Sequence, residues 1–388
     1  MARIPRSKED DYTDDMARAR RDFVEAQTGV TMPHTGSYSF DAATTRGNIE
    51  HFTGVCQIPL GLAGPVRVNG EAAVGEFYVP MTTTEGTLVG SYNRGMRLTR
   101  EAGGITVSVI DDVMQRAPVF VFANAREARD FGDWLEANLD AVRAAAEATT
   151  SVGKLQFVQQ FAAARFRYLR FNYSTGDAAG QNMCGRATRA ACLWIAEHYP
   201  GPMERWVLSG NMDTDKKHSQ INTLYSRGKR VVAECVIPDA LLREQMHVTA
   251  EQFFVQRHIS NIGAQMAGSS NNGSHAANGI AAVFIATGQD EANVAESQSA
   301  IVHSELTASG DLYYSITLPS LIVATHGGGT GLPTQRECLE VLGCFGKGKA
   351  RKLAEIIGAT VLCGELSLGA AVLADEWVSS HEQYGRNR

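Results

Sequence analysis

The stretch KLQFVQQFAAARFRYLRFNY, residues 154–173, consists of two strand-like runs, and it decides the fold. A strand-like run at 117–123 precedes it, followed by a helix over 124–149 with apolar residues at helical spacing: Phe131, Leu135, Leu139 and Val142. A second helix opens after it, within residues 174–199. Strands and helices in this order, over roughly 90 residues, predict a small α+β unit inserted into a larger domain.

The chain around this insert alternates strands and helices as well. The run PVRVNGEAAVGEFYVP (65–80) predicts a hairpin turning at Asn69-Gly70. Threonines in 81–104 are expected to cap a helix whose Gly86 and Gly90 clear one face for another backbone. An apolar helix is predicted from about 272 to 288, and a last helix closes the chain. The predicted class is α/β (α+β), with the larger domain built from these elements.

Composition excludes several classes of protein. The 388 residues are 44% hydrophobic and 20% charged with a net charge of −6, which gives no basic excess for a nucleic-acid partner. No uninterrupted apolar run approaches ~20 residues, and the charged N-terminus lacks the apolar core of a signal peptide. The seven cysteines form no CxxC pair, so we expect reduced thiols in a cytoplasmic protein, without a disulfide framework or a zinc site.

The segment GNMDTDKKHS, residues 210–219, crowds Asp213, Asp215, Lys216 and Lys217 together. One interpretation is a solvated surface loop, because most clusters of charged residues lie on solvated surfaces. The other is a preorganised cation aimed at a developing oxyanion, with the aspartates holding the lysines in place. The residues alone leave both open.

Other titratable residues also have unusual neighbours. Glu85 follows three threonines in the first turn of the predicted helix, where it suits either the helix dipole or catalysis. Asp290 ends an apolar helix, and His381 lies near the C-terminus, where chains are commonly mobile. His275 and Asn278 share a helix face, as satisfied core groups or as site residues.

Two glycine-rich turns are candidates for phosphate binding. GDAAGQNM (176–183) leads into a helix and offers backbone N–H groups at its positive end. THGGGTGLP (325–333) has three consecutive glycines, which suit either close approach to a ligand or a flexible loop.

Taken in order, these segments resemble the signatures of hydroxymethylglutaryl-CoA (HMG-CoA) reductases over about residues 44–388. The segments that carry the resemblance are MTTTEG…NRG, GDAAGQNM, GNMDTDKK, SHAANGIAAVFIATGQD, HGGGTGLP and GELSLGAA…SSH. The adjacent lysines of DTDKK and the C-terminal histidine resemble the eukaryotic-type class I branch most closely. The resemblance implies an N-terminal helical segment, a substrate and CoA domain, an inserted ferredoxin-like NAD(P)-binding domain, and a catalytic part of the large domain with a C-terminal tail: 1–43, 44–116, 117–208 and 209–388.

The same resemblance implies that the chain reduces HMG-CoA to mevalonate and free CoA with two NAD(P)H, through a mevaldyl-CoA thiohemiacetal and without a metal. Lys216 would stabilise the oxyanion, Glu85 would donate a proton, and Asp290 would couple to both. His381 would protonate the departing CoA thiolate.

Binding residues are implied in the same way. The positions that match the family's substrate and CoA contacts are Arg116, Ser209, Asp215, Lys217, Asn278, His275, Asn93 and Arg94. Those expected to line the site of NADPH, with NADH as an option, are Thr150, Ser151, Asp177, Gly180, Asn182, Gly327, Gly328 and Gly329. The resemblance also implies a homodimer or larger assembly with active sites between subunits, and neither nucleic acid nor membrane as a partner.

Two departures from the family pattern keep alternatives open. Thr150-Ser151 stands where a Ser-Arg pair meets the 2′-phosphate of NADP, with Lys154 as a stand-in cation. Ile259 stands where a lysine is expected near the acyl carboxylate. The alternatives are a reductase of the same mechanism acting on another acyl-CoA, and a non-catalytic CoA-binding homologue.

Overall fold

The computed structural model describes residues 3–376 together with Val378 and Glu382. Its strands are β1 (Leu60–Gly70), β2 (Val74–Thr82), β3 (Ile105–Arg116), β4 (Val119–Val121), β5 (Lys154–Ala163), β6 (Phe166–Ser174), β7 (Arg205–Val207), β8 (Gly228–Ile237), β9 (Ile301–Leu306) and β10 (Leu312–Leu321). Its helices are α1 (Asp14–Thr28), α2 (Leu88–Glu101), α3 (Ala125–Ala137), α4 (Leu139–Glu147), α5 (Gln181–His198), α6 (Gln220–Tyr225), α7 (Asp239–Met246), α8 (Ala250–Met266), α9 (Ala276–Thr287), α10 (Val294–Ser297), α11 (Pro333–Val341) and α12 (Ala350–Leu373). The predicted mixed α/β class is confirmed.

One long strand, β3, joins the two parts of the sheet. Residues Thr106–Val113 pair antiparallel with β8, and Met114–Arg116 pair antiparallel with β6. The main path runs β7-β4-β6-β3-β8-β10-β9, with β9 at one edge. Two separate apolar cores lie along this path, one around α12 and one under α3, α4 and α5. Arg116, at the end of β3, therefore lies where the two cores meet.

The smaller part of the sheet has the connectivity of a split βαβ fold. Its strands lie in the order β7-β4-β6-β5, and every neighbouring pair is antiparallel. Chain order is strand, helices, two strands, helix and strand, which is the ferredoxin-like pattern. The predicted strand at 154–163 agrees with β5, whereas the predicted helix over 124–149 is two helices, α3 and α4, that meet at Asn138.

Helix α12 is the centre of the larger part. By length and composition it is apolar enough to cross a membrane. An 18-residue stretch of the helix has a mean hydropathy of 1.9, but 78% of that stretch is buried inside the protein. A Cβ on Gly95 would come within 2.0 Å of the Cys363 carbonyl oxygen, so this glycine lets α2 lie against α12. Gly90, which the sequence had predicted for this role, has nothing within 4 Å of its Cβ position.

The hairpin and its following helix differ in detail from the sequence predictions. The hairpin of β1 and β2 is confirmed, but Asn69 pairs with Val74, so the turn is at residues 71–73. Helix α2 begins only at Leu88, and its N-cap Thr87 has a left-handed backbone and no side-chain capping bond. Glu85 consequently lies in the loop before the helix, where Thr83 Oγ1 accepts a hydrogen bond from its N–H.

Candidate active site

The segment 211–217 is a loop with a constrained backbone. Asn211, Thr214 and Lys216 have φ values of 65°, 50° and 57°, in the left-handed region that residues other than glycine seldom occupy. Asn222 Nδ2 of α6 donates to Thr214 Oγ1 at 2.6 Å, and Ser219 contacts the same hydroxyl. Such local strain persists only where the surrounding contacts hold it, and it is concentrated at functional sites.

The aspartates of this loop pair with arginines, so the prediction that they hold the lysines is wrong. Arg116 Nη1 donates to Asp213 Oδ2 at 2.9 Å, and its Nη2 lies 3.7 Å from Asp215 Oδ2. The buried Arg227 donates to Asp215 Oδ1 at 2.5 Å. The side chain of Asp215 thus anchors the loop to two guanidinium groups. Neither carboxylate of the DTD segment pairs with the adjacent ammonium groups.

Lys216 pairs with Asp290, which the sequence had placed among the catalytic residues. Its Nζ lies 3.0 Å from Asp290 Oδ2 and 3.3 Å from Oδ1. Both side chains are partly open to solvent, at 45% and 39%. Lys217 Nζ instead contacts Asn211 Oδ1 and the Asp215 carbonyl, so the adjacent lysines have different partners.

Both glycine-rich turns come to the Asp290 segment. Gln181, at the start of α5, donates to Asn293 Oδ1 at 2.8 Å. A Cβ on Gly288 would come within 2.3 Å of the Gly329 carbonyl oxygen, which makes glycine necessary where the GGG turn meets the end of α9. By contrast, Gly327 and Gly328 have open space at their Cβ positions and positive φ. The two turns and Asp290 therefore form one cradle with free backbone at its surface.

Asp177 is engaged within the protein. Its carboxylate accepts from the backbone N–H groups of residues 348, 349 and 350, which lie at the start of α12. These hydrogen bonds lower the pKa of Asp177 against the opposing effect of burial. Asn182 is exposed on α5, and the Gly180 N-cap has a left-handed backbone that leads into the helix.

A second group of predicted residues surrounds Tyr92. The Tyr92 hydroxyl donates to the His275 carbonyl at 2.6 Å, and the two rings lie 4.8 Å apart. Asn278 Nδ2 lies 3.1 Å from His275 Nδ1, and burial lowers the pKa of His275 to about 4. An amide nitrogen only donates, so the neutral ring carries its proton on Nε2, which is buried and has no hydrogen-bond partner among the described residues. Burial raises the pKa of Tyr92, and the nearby carboxylate of Glu85, which is exposed, adds to that shift.

Within one subunit these two groups are separate. In the described part of the chain no hydrogen bond or ion pair joins Glu85 to Lys216 or Asp290, although Asp290 was predicted to couple to both. Asn93 Oδ1 accepts from Gly64 N, and Arg94 is held by Ser367 and Glu376. Ser209 is exposed just before the loop, and His381 lies outside the described residues.

Comparison with known proteins identifies the family. Residues 16–386 match the sequence profile described as hydroxymethylglutaryl-coenzyme A reductase. The chain belongs to this reductase family. The 3-hydroxy-3-methylglutaryl-coenzyme A reductase of Pyrococcus horikoshii is 44% identical over 95% of this chain and 91% of its own length. That of Strongylocentrotus purpuratus is 37% identical over 99% of this chain and 43% of its own length.

Solved reductases share the fold. A class II 3-hydroxy-3-methylglutaryl-CoA reductase from Streptococcus pneumoniae, bound to NADPH in open conformations, superposes with a TM-score of 0.70. It is 22% identical, and the match covers 92% of this chain and 97% of that one. At this identity the likeness establishes the shared fold.

The positions at which this chain departs from the reductase sequence pattern lie in different parts of the structure. Ile259 lies on an exposed stripe of α8 that repeats at helical spacing: Val255, Ile259, Ile262 and Met266. Lys154, the expected stand-in for the missing arginine, has its Nζ 2.8 Å from Glu147 Oε2. Thr150 Oγ1 accepts from the N–H groups of Val152 and Gly153, while Ser151 is exposed. The stand-in cation is thus already neutralised by a carboxylate.

Sequence reasoning missed several buried charges in this reductase, and three of them border the candidate site. Arg227 and Glu296 form an ion pair at 2.7 Å behind the lysine loop. Glu365 accepts from the N–H groups of Ser274, His275 and Ala276, and so fixes the start of α9. Each is a charged residue inside an apolar or unremarkable stretch, so the only signal was a charge at a position that periodicity makes internal. No group of three potential metal ligands occurs among the described residues.

Proposed function

We propose that this protein reduces (S)-3-hydroxy-3-methylglutaryl-CoA to mevalonate and free CoA, using NADPH. The family match over nearly the whole chain supports the reaction. The observation that carries it to particular residues is the Lys216–Asp290 pair, which lies beside two glycine-rich turns with open backbone. A cation next to a dinucleotide cradle is what the reduction of a thioester carbonyl requires, because charge develops on the carbonyl oxygen.

NADPH, when bound, supplies hydride, and the residues of the chain manage charge and protons. Lys216 Nζ stabilises the carbonyl oxyanion of the thioester, and Asp290 keeps that ammonium in place. Collapse of the thiohemiacetal breaks the C–S bond, and His381 donates its proton to the CoA thiolate. Reduction of the resulting aldehyde again needs the Lys216 cation, with Glu85 as the proton donor. Thr150, Ser151, Asp177, Gly180 and Asn182 are proposed to border the dinucleotide with the glycines of residues 327–329.

Substrate binding is proposed to use both groups of residues. Arg116, Ser209, Asp215 and Lys217 are assigned to the acyl end of the substrate. In the second group, Asn278 is assigned to orient the Glu85 carboxylate, and His275 Nε2 is available to a substrate oxygen. Arg94 and Asn93 are assigned to CoA.

We propose further that two subunits complete each active site, in a homodimer or larger assembly. Among the described residues of one subunit, no hydrogen bond or ion pair links Glu85 to the Lys216 group, although the reaction needs both. The apolar stripe on α8 supports association, since four exposed aliphatic or sulfur-containing side chains follow one another on one helix face. Glu85, His275 and Asn278 of one subunit would then face Lys216 and Asp290 of another.

Mixing two inactive variants tests the shared site. Lys216→Ala and Glu85→Gln subunits, unfolded together and refolded, should recover about a quarter of wild-type activity, because random pairing leaves that share of shared sites intact. Each variant refolded alone is the control and should remain inactive. Absence of recovery in a mixture that still contains mixed dimers would show that each subunit holds a complete site.

The class, the domain limits and the location are also proposals. Identity of 37% to the eukaryotic protein of Strongylocentrotus purpuratus, over 99% of this chain, supports the class I branch. The two apolar cores and the split βαβ strand order support the predicted limits of the inserted NAD(P)-binding domain at residues 117–208. Seven free cysteines, six of them buried, suit a cytoplasmic protein.

A second candidate, the reduction of a different acyl-CoA by the same mechanism, is favoured by Ile259. An aliphatic side chain there removes a cation from the region where the acyl carboxylate is expected. Turnover with HMG-CoA and with acyl-CoAs that lack the distal carboxylate distinguishes the two functions. The proposed function requires the highest kcat/KM with HMG-CoA, whereas no NADPH or NADH consumption with any thioester would indicate a non-catalytic homologue.

A further inference from the structure

One short segment, residues 290–297, holds both ends of Lys216. Asp290, at its start, takes the ammonium group. Glu296, on α10, accepts a hydrogen bond from the Lys216 backbone N–H through Oε1 at 2.5 Å. The segment is kept rigid by local contacts, since the Asp290 carboxylate accepts from Ala292 N and Gln181 ties Asn293 to α5.

Glu296 has a second partner that reaches the same loop. Its Oε2 accepts from Arg227 Nε at 2.7 Å, and both side chains are fully buried. Arg227 then donates to Asp215 Oδ1 at 2.5 Å. Glu296 therefore holds Lys216 directly and the preceding residue, Asp215, through one guanidinium group.

These contacts act on a backbone conformation that lysine does not favour. Lys216 has a φ of 57°, and its neighbour two positions earlier, Thr214, is left-handed as well. A lysine with a left-handed backbone conformation points its side chain in a different direction from a lysine in an extended loop. The hydrogen bond that the Lys216 N–H donates to Glu296 fixes the amide of Lys216, so the direction of its ammonium group toward Asp290 depends on that bond.

We infer that Glu296 is a positioning residue for the reduction, because it sets the left-handed turn that aims Lys216 at the reacting carbonyl. The inference rests on the proposed function. It requires no contact between Glu296 and the substrate. It assigns to Arg227 the role of a buried link between Glu296 and Asp215. Neither residue lies in the sequence segments quoted above as carrying the family resemblance.

Protonation of Glu296 gives this arrangement a pH dependence. Burial raises the pKa of Glu296 to about 7, against the opposing effects of Arg227 and of the Lys216 N–H group. The charged groups that face it are Arg227, before β8, and Asp215 and Lys216 of the loop, with Asp290 on its own segment. Only the carboxylate accepts from both donors, so the ordered turn prevails above about pH 7 and is weakened below it.

Glu296→Gln tests the inference, with Glu291→Gln as the matched control on the same segment, where the side chain is exposed. We expect kcat with HMG-CoA to fall about 10- to 100-fold while KM for NADPH is unchanged, as for a small misplacement of a catalytic group. The rise of kcat through neutral pH should flatten in Glu296→Gln only. If a buried amide beside Arg227 prevents folding, the double variant Glu296→Gln with Arg227→Gln removes the whole ion pair and is measured instead.

A readout independent of catalysis separates this inference from the proposed function. Amine-reactive labelling followed by mass spectrometry gives the rate at Lys216 relative to Lys217. Loss of its fixed position beside Asp290 should raise that ratio about two- to fivefold in folded Glu296→Gln, and not in Glu291→Gln. An unchanged ratio and pH profile in a folded Glu296 variant would overturn the inference. A raised ratio in Glu296→Gln, together with no turnover of HMG-CoA by the wild-type protein, would leave the positioning role standing and refute the function.

Discussion

Replacing Lys216 with alanine removes the one cation of this loop that pairs with Asp290. A unit charge about 3 Å from an oxyanion contributes about 5 kcal/mol at an effective dielectric constant of about 20. The Lys216 side chain is 45% exposed in a single subunit, so solvent reduces that value. Loss of one preorganised oxyanion partner typically costs about 3–4 kcal/mol, and we therefore expect kcat to fall about 10²- to 10³-fold.

The protein should fold normally without this side chain. Lys216 Nζ has Asp290 as its partner, and Asp290 is already 39% exposed to water and accepts a hydrogen bond from Ala292 N that does not involve Lys216. The loop keeps its anchors, because Glu296 binds the backbone N–H and not the ammonium group. We expect the melting temperature of the variant to be unchanged, to within the small contribution that a partly exposed ion pair makes to stability.

Lys217→Ala is the matched control, one residue along the same loop. Its ammonium contacts Asn211 and the Asp215 carbonyl, and we assign it to substrate binding. NADPH oxidation should show a raised KM for HMG-CoA in Lys217→Ala and a lowered kcat in Lys216→Ala. Near-wild-type turnover in Lys216→Ala, or the same kinetic defect in both variants, would refute the assignment of Lys216 as the oxyanion cation.

Three further predictions follow from the remaining residues. His381→Gln should impair reduction of the thioester and largely spare that of free mevaldehyde, which has no thiolate to expel, whereas Glu85→Gln should damage both; equal losses in the histidine variant would contradict its role. NADPH should be preferred over NADH by less than roughly 10³-fold in kcat/KM, and Glu147→Gln should raise that preference by releasing Lys154, so an unchanged ratio would place the 2′-phosphate elsewhere. Ile259→Lys should lower KM for HMG-CoA by restoring a charge-assisted bond to its carboxylate, whereas a higher KM would favour an acyl group without one.

The elements that the sequence predicted correctly are those with a strong local period. Strand β5 agrees with its predicted range, and the predicted last helix is present as α12, because both patterns are continuous. The break between α3 and α4 at Asn138 was missed, since the apolar spacing continues across it. The capping prediction for α2 failed at Thr87, whose backbone is left-handed, a property that depends on how the preceding strand ends.

The candidate site shows the same division between motif and environment. Lys216 and Asp290 stood out because of their local sequence, and the fold brings them together from 74 residues apart. The partners of Asp213 and Asp215 were misjudged because adjacent lysines look like the natural counterions, while Arg116 and Arg227 arrive from β3 and from the start of β8. The pairing of Lys154 with Glu147 is likewise tertiary, since it joins the end of α4 to the start of β5. Burial and long-range pairing are what the sequence leaves out.

Measuring oxidised NADPH and released CoA in the same reaction tests the proposed function. Purified protein is incubated with HMG-CoA and NADPH, and the loss of reduced nicotinamide absorbance is compared with the CoA thiol released. Reduction of a thioester to an alcohol requires two hydrides, so we expect two NADPH to be oxidised for each thiol released. Release of thiol without NADPH oxidation, or no reaction with HMG-CoA while the folded protein reduces another acyl-CoA, would contradict it.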